Sequence, residues 1–554
     1  MLKKAVHVGV FIVIFAAFVG FGGVVYASQP TIPKIPAIHI NVPESPFVYR
    51  EVWQDGIISL SYSDYDFGAT AVRVRGRGNS TWWLGEDKRP LRFRFNEARS
   101  VLGSEYAARD WILLAENFDR SLLRNYAALT LGARLGGMSF VPSAQHVHLY
   151  VNGEYMGVYL LTDERNTETG RLDIQWHSEP SLSDFFVELD FRAYRGGIYG
   201  ETFVVVNDRI YDIRYPSSER RRTPAHIVYV RRYLEAVSYT LRYGTFEEAM
   251  KLIDLDSFVD FYIVQEVVKN PDAYYTSVFM YITGEGGNRR LFMGPLWDFD
   301  LAAGNVPDWH FSRDPQHLYV AVLHYWYRNL MTMPEFVEAV VIRWNEVRDT
   351  AIAETITHIR DTAETYKDEF ERNFERHQVM GTPLNIGSPE IQAIDTFDGQ
   401  VEYLINWLET RVAWLDNFFI SINLDKGLTD ALASQMIFDH FQFHRNIDIT
   451  INGEHHQLTI RPIILQGRTM VEVGEIANIF GAEVYEESDA IYMLRGDTVF
   501  INHIGSSTFT VNGVCVEADV SSVVMGGYVF LPLRLTAEVL GYQIEWDGSV
   551  ILGG

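Results

Sequence analysis

Near its C-terminus the sequence repeats itself at a shift of 60 residues. Ile451-Asn452-Gly453 returns as Val511-Asn512-Gly513, Gly467 as Gly527, Val471-Glu472-Val473 as Leu531-Pro532-Leu533, and Ala477 and Gly481 as Ala537 and Gly541. A repeat of this kind is one supersecondary unit that cannot bury its apolar face alone, so the two copies must stack to share a core. Each copy reads strand, turn, strand, short helix and closing strand, the last at 483–485 and 543–546. The repeat therefore divides the chain. A small β/α unit occupies 448–554, a linker 421–447, and the long stretch before them must supply a core of its own.

At the other end, Lys3 and Lys4 precede an apolar run over residues 5–26 broken only by His7. That run is long enough to span a bilayer. Val25 and Ala27 are small residues placed for cleavage after Ala27, so residues 1–27 read as a signal peptide, with an uncleaved N-terminal anchor as the competing reading. Either way the remainder is expected to be exported. Cys515 is the only cysteine, which excludes an intramolecular disulfide and leaves packing to hold the fold. With 47% hydrophobic and 14% aromatic residues there is enough apolar surface for that. A formal net charge of −25 opposes nucleic-acid binding and favours basic partners.

Residues 28–44 are rich in Pro and Ile and read as an extended lead-in, because proline forbids helix. A domain over 45–420 follows. Period-two alternation at 72–76 and 91–95 predicts two strands joined by a long Gly-containing loop. Leu123, Ala127, Leu131 and Leu135 fall at helical spacing over 120–135, with Gly136-Gly137 as a stop. Asn152-Gly153 predicts a tight hairpin. A strand at 185–190 follows, then a helix capped by Asp256 and ended by Asn270-Pro271, and then a hairpin from 278–282 to 291–294. Helical spacing dominates 324–419. The fold class is therefore α+β, with a largely helical C-terminal half.

Three acidic residues stand out. Asp272 follows a helix, and Asp298 and Asp300 follow a hairpin strand. Phosphoryl transfer uses such groups, as hard oxygen ligands for a metal bridging phosphates and as a carboxylate aimed at the attacking hydroxyl. Aspartates that merely cap helix and strand ends account for the same spacing. In the 73–95 segment, glycines let backbone amides approach anions, and Arg77, Lys88 and Arg92 are placed to meet phosphate oxygens. An exposed basic hairpin is the plain alternative. Neither HExxH nor GxSxG occurs, and His455-His456 reads as a solvated turn. Glu188 and Asp190 lie two apart on one strand and share a face, suited to metal binding but not assignable as a glycosidase pair.

Six ordered stretches carry a further signal: RGRGNSTW with KRPLRFRF, DWILLAENFDRSLLRNYAALTLGARLG, LYVNGEYMGVYLLTDER, FFVELD, NPDAYYTSVFMY and GPLWDFDLAAGN. Together they resemble the CotH (spore coat protein H) kinase family, atypical protein kinases on a diverged protein-kinase-like fold. The resemblance implies ATP with Mg²⁺ or Mn²⁺ as cofactors and a Ser/Thr acceptor on a spore coat or surface protein, expected to be basic and Ser-rich. It implies Asp298 as principal metal ligand and catalytic residue, Asp300 as a helper, and Asp272 as the catalytic-loop carboxylate. Arg77, Asn79 and Lys88 would lie near the phosphates, with Arg92 beside them. Where the family has Glu after YLLT this chain has Asp163 followed by Glu164, which leaves the partner of the phosphate-binding lysine open between them.

The repeat unit resembles the copper amine oxidase N-terminal-like, or stalk, domain of exported proteins, through QGRTMVEVGEIANIFGAEV and GGYVFLPLRLTAEVLGYQIEWD. That likeness brings no copper ligands, so no copper is expected, and an attachment role toward envelope or coat partners is. The location implied is extracellular, at a cell surface or in a spore coat. The leading alternative to a kinase is a non-catalytic scaffold of coat or envelope. A carbohydrate-binding surface protein rests only on the abundant aromatics, which more often fill cores.

Overall fold

The computed structural model describes residues 35–422 and 449–553, apart from 63–65, 86–87, 169, 194–200, 208, 218–220, 308–309, 384–386, 452–453, 457–462, 466–467, 488–489, 526–527 and 547–549. Seven strands come first: β1 (Ala37–Asn41), β2 (Gln54–Ser61), β3 (Phe67–Gly76), β4 (Leu91–Arg99), β5 (Ala108–Leu114), β6 (Ala144–Val151) and β7 (Glu154–Asp163). They close into a barrel in the order β1-β2-β3-β4-β5-β7-β6. Closure removes every exposed strand edge.

The closing contact is β1 on β6, the one parallel pair of the barrel, with Ala37 opposite His148 and Ile40 opposite Val151. Part of the expected lead-in is thus a barrel strand, because Ile38 and Ile40 bury completely inside. Val72, Val74, Leu91, Phe93 and Phe95 fill the same interior, which is why the alternation on β3 and β4 was readable. Asn152 and Gly153 turn β6 into β7 with φ of 51° and 83°, as their dipeptide predicts.

A second sheet is built from β8 (Phe185–Leu189), β9 (Phe203–Val206), β10 (Arg209–Tyr215), β11 (Val278–Thr283) and β12 (Arg290–Met293), ordered β12-β11-β8-β10-β9. Its Phe186 and Phe279 meet Ile112 of the barrel wall and Trp297 in one apolar seam. Helices cover the rest: α1 (Arg124–Leu135), α2 (Pro224–Tyr243), α3 (Leu255–Val268), α4 (Pro334–Val347), α5 (Ala353–Thr365), α6 (Lys367–Arg376) and α7 (Phe397–Ser421).

α3 is buried at every residue from 257 to 268, as expected of a helix apolar all round. Its cap is Asp254, which accepts from the Ser257 amide at 2.9 Å, and not Asp256, which lies inside the first turn. It ends at Val268, within a residue of the end expected ahead of Asn270-Pro271, where Lys269 turns left-handed at φ 47°. α7 is tied to α3 by the Arg411–Glu266 ion pair at 2.7 Å, both side chains fully buried. α1 begins at Arg124 and not at residue 120, since Asp119 takes the amides of Ser121, Leu123 and Arg124.

The repeat unit bears out its 60-residue spacing. Arg468–Glu472 pairs antiparallel with Tyr528–Pro532, and Val471 sits opposite Leu531, its own equivalent in the second copy. The helices Val473–Phe480 and Leu533–Val539 start 60 residues apart and pack on one shared core. His455-His456 fall in a strand, Glu454–His456, and not in a turn. Among the described residues no helix is long and apolar enough to cross a membrane. The linker's first residue, Ser421, still belongs to α7; the N-terminal apolar run, linker residues 423–447, and the Asn452-Gly453, Gly467 and Gly527 repeat matches lie outside the described residues.

Candidate active site

A cleft enclosing about 930 Å³, part of it open to solvent, lies where the barrel meets the second sheet. The loop leaving β3 supplies Arg77, Gly78 and Asn79, and the end of β5 supplies Glu116. Asp272, Asp298 and Asp300 come from the opposite side. Gly78 has φ 93°, and a Cβ there would stand 2.4 Å from the Thr81 hydroxyl, so the loop can hold this shape only with glycine.

One pole of the cleft is acidic. Asp272 sits in the turn after α3, where the Tyr275 hydroxyl donates to its Oδ1 at 2.8 Å. Asp298 follows β12 with φ 69°, a left-handed backbone tolerated best by Gly, Asn and Asp, and Ser277 Oγ donates to its Oδ2 at 2.9 Å. Asp300 is buried. Glu116, also left-handed, is held by Asn125 of α1, whose amide nitrogen donates to both carboxylate oxygens at 3.1 and 3.3 Å. Asn125 Oδ1 accepts from the Phe299 amide at 2.8 Å, which locks Glu116 against the turn carrying Asp298 and Asp300.

Among the described residues none of these four carboxylates forms an ion pair with Lys or Arg, and burial shifts Asp272, Glu116 and Asp300. Burial, then the charge of Asp298, raises Asp272 to about 7 against the hydrogen bond from Tyr275. Burial and the charge of Asp119 raise Glu116 to about 8. Burial, followed by Asp298, pushes Asp300 well above the ordinary range. Clustered buried acids without a counter-ion are the electrostatic signature of a cation site. The oxygen-only donor set fits Mg²⁺ or Mn²⁺. Among the described residues no three acidic or His/Cys side chains gather closely enough to hold a metal by themselves. That suits an ion taking one or two carboxylates and completing its sphere with phosphate and water.

The other pole is cationic. Arg77 and Arg165 lie over the Trp297 ring, at 5.2 and 3.9 Å from its centre. Burial, then the charge of Arg165, lowers Arg77 to about 10. Arg192 donates to Asp190 at 2.9 Å and to Thr276 Oγ1 at 2.7 Å, and Arg214 donates to Glu188 from Nε at 2.6 Å. Burial works against Asp190's charge, but Arg192 holds it below its ordinary value, whereas burial wins at Glu188 and raises it. The Glu188/Asp190 pair thus anchors arginines at the wall of the cleft, each carboxylate being taken by one guanidinium.

Of the residues singled out in the sequence, Arg77, Asn79, Asp272, Asp298 and Asp300 line the cleft together. Lys88, Arg92, Asp163 and Glu164 do not. Asp163 is locked to Arg171 at 2.8 Å with both side chains fully buried, and it also accepts from Ser143. Glu164 is the partner of Arg92 at 3.0 Å and stands 3.7 Å from Arg165, while Arg92 is also held by Asp110. Lys88 is buried over the Tyr159 ring, and its Nζ has no hydrogen-bond partner among the described residues. It lines a neighbouring cavity that shares Glu116 with the cleft, and burial lowers it to about 7 against the charges of Glu116 and Asp119. Arg92 on β4 is turned to Asp110 and Glu164, and Asp163 at the end of β7 to Arg171, while Lys88 precedes β4 and Glu164 follows β7. Glu116, Asn125, Arg165, Arg192, Arg214 and Trp297 were not picked out from sequence. Glu116, Asn125, Arg165 and Trp297 lie within the ordered motif blocks, but nothing in their spacing assigns them a role.

No curated protein is significantly similar to the chain. Residues 450–551 match the family described as copper amine oxidase N-terminal domain, in agreement with the repeat. Residues 72–415, which contain every element of the cleft, match the family described as CotH kinase protein. Since that match covers well over half of the sequence, the chain belongs to the CotH kinase family.

Proposed function

We propose that this chain transfers the γ-phosphoryl group of ATP to a Ser or Thr hydroxyl of a protein. The observation that carries the reading is the cleft's division into an uncompensated acidic pole and an arginine pole, the two halves that a metal-bound triphosphate requires. Arg77 and Arg165 hold phosphate oxygens. A divalent cation at Asp298 and Asp300 would neutralise charge building up across the phosphates. Asp272, titrating near neutrality, accepts the acceptor's proton as its oxygen bonds to the γ-phosphorus and the bond to the β-phosphate oxygen breaks. The product ADP carries the released charge toward the arginines.

One ground for the non-catalytic scaffold reading, beside the supply of ATP outside the cell, is Asp163 standing where the family has Glu, but Asp163 serves Arg171 and leaves the cleft's own carboxylates in place. Export through the N-terminal segment, placement at a cell surface or spore coat, and attachment through the repeat unit complete the proposal. Purified protein is incubated with labelled ATP, Mn²⁺ or Mg²⁺ and a Ser-rich acceptor. Label should appear with wild type and vanish with Asp298→Ala; equal labelling in both would remove Asp298 from the mechanism.

A further inference from the structure

The barrel's outer face carries an arrangement that the cleft does not use. Arg73 and Arg75 alternate with buried Val72 and Val74 on β3, and Arg92 and Arg94 alternate with buried Leu91, Phe93 and Phe95 on β4. All four guanidiniums therefore leave the barrel on one side. The register sets Arg73 opposite Arg94 and Arg75 opposite Arg92. Like charges directly opposite on neighbouring strands destabilise a sheet. In a chain of net charge −25 such a ladder is no by-product of a basic composition.

All four guanidiniums lie over one indole ring, Trp53, at 5.3, 5.1, 5.7 and 5.2 Å from its centre for Arg73, Arg75, Arg92 and Arg94. Arg94 pairs with Asp110 at 2.8 Å, and Arg92 shares Asp110 at 2.9 Å and pairs with Glu164 at 3.0 Å. Among the described residues Arg73 reaches only Asp55, at 4.0 Å, and that carboxylate is 96% exposed. Arg75 makes no hydrogen bond or ion pair among the described residues, and its Nε is shut from solvent without a partner. Arg75 lies in the fields of Glu51 and Glu164 without a bond to either, so two adjacent guanidiniums beside an aromatic ring keep donors that the fold does not use.

The face is continuous with the cleft. Arg50, three residues before Trp53, donates to the Gly78 carbonyl at 3.1 Å and to Asn79 Oδ1 at 3.0 Å, so the 50–53 segment runs from the arginine ladder to the cleft's own loop. Exposed Tyr49 and Val52 border that track and offer a polypeptide apolar contact.

We propose that this face docks an already phosphorylated segment of the acceptor polypeptide, a phosphoserine or phosphothreonine seating on Arg73 and Arg75 while a neighbouring hydroxyl enters the cleft. The choice of occupant rests on the kinase reading above. A phosphate group brings nearly two negative charges and three acceptor oxygens, which suits a pair of forked guanidiniums better than a single carboxylate does. Each transfer would then create a docking group for the next, so label incorporation should accelerate with time on a multi-serine acceptor.

The test is fluorescence anisotropy of the purified full chain with a labelled serine-rich peptide in three forms: unmodified, carrying one phosphoserine, and carrying Glu at the same position. The phosphopeptide should bind about tenfold tighter than either other form, a difference of the size one charge-assisted contact gives. The double variant Arg73→Gln/Arg75→Gln should lose that preference while keeping its thermal midpoint. Asp298→Ala should retain it, so absent phosphotransfer with intact phosphopeptide preference would count against the kinase reading alone. Equal binding of the three peptides, or a preference that survives in the double variant, overturns the proposal.

Discussion

Asn125 grips Glu116 through both carboxylate oxygens, at 3.1 and 3.3 Å, and so makes helix α1 the support of the acidic pole. The same amide holds Phe299, between Asp298 and Asp300. Asn125→Leu keeps the branched shape but removes all three bonds, leaving a buried acid and a buried amide N–H without partners. Leaving such groups unsatisfied costs roughly 1–3 kcal/mol each. The thermal midpoint should fall, and phosphotransfer should fall further than the folded fraction does, as read by turnover at a temperature where the variant is still folded. Unchanged turnover would mean that Glu116 needs no positioning.

The raised carboxyls fix the sign of the pH response. Asp272 at about 7 and Glu116 at about 8 both hold their protons more tightly folded than unfolded, where ordinary carboxyls release them near pH 4. Their contribution to stability is therefore complete below about pH 4 and is lost as pH climbs through about 7 and 8. Turnover, which needs Asp272 ionised, should rise over the same range. Thermal midpoints from pH 5 to 9 should decline more steeply for wild type than for Asp272→Asn. Added Mn²⁺ should restore more stability at the alkaline end, where the ligands are already deprotonated. Parallel profiles for the two proteins would show that Asp272 titrates at its ordinary value.

How much was legible follows from where each signal lives. Asp272, Asp298, Asp300, Arg77 and Asn79 sit in turns next to elements with clear boundaries, so the family resemblance could single them out, and they line one cleft. Lys88, Arg92, Asp163 and Glu164 lie on or beside barrel strands, where a one-residue change of face decides between cleft and seam. The arginine pole was hidden for another reason. Arg192 and Arg214 are brought in by the pairing of β8 with β10, a contact between strands that no local pattern announces. The barrel itself depends on β1 meeting β6 from more than a hundred residues away, and a Pro-rich stretch gives no hint of it.

Asp163 offers a direct check on reading by family pattern. Restoring the family residue with Asp163→Glu adds a methylene to a side chain that is wedged between Arg171 and Ser143 with no exposure. Overpacking of this kind costs typically about 1–3 kcal/mol. The variant should melt earlier and phosphorylate no faster. A gain in turnover would mean that this position reaches the nucleotide after all, and that the Arg171 pair opens to allow it.

The repeat unit makes its own prediction. Val471 and Leu531 are both fully buried, and they pair across a strand contact between equivalent segments of the two copies. Truncating either to Ala opens a cavity in the same shared core, at a cost of roughly 2–5 kcal/mol for the leucine and less for the valine. Because the second truncation acts on a junction already loosened, the double variant should lose less than the two single losses combined, with a coupling of about 0.5–3 kcal/mol. Amide hydrogen exchange in the full chain can read this locally. Protection at 468–472 and 528–532 should fall together in each single variant, while exchange in the barrel strands stays as it was. Loss confined to the mutated copy would show that each repeat holds its own core, contrary to a junction centred on equivalent residues.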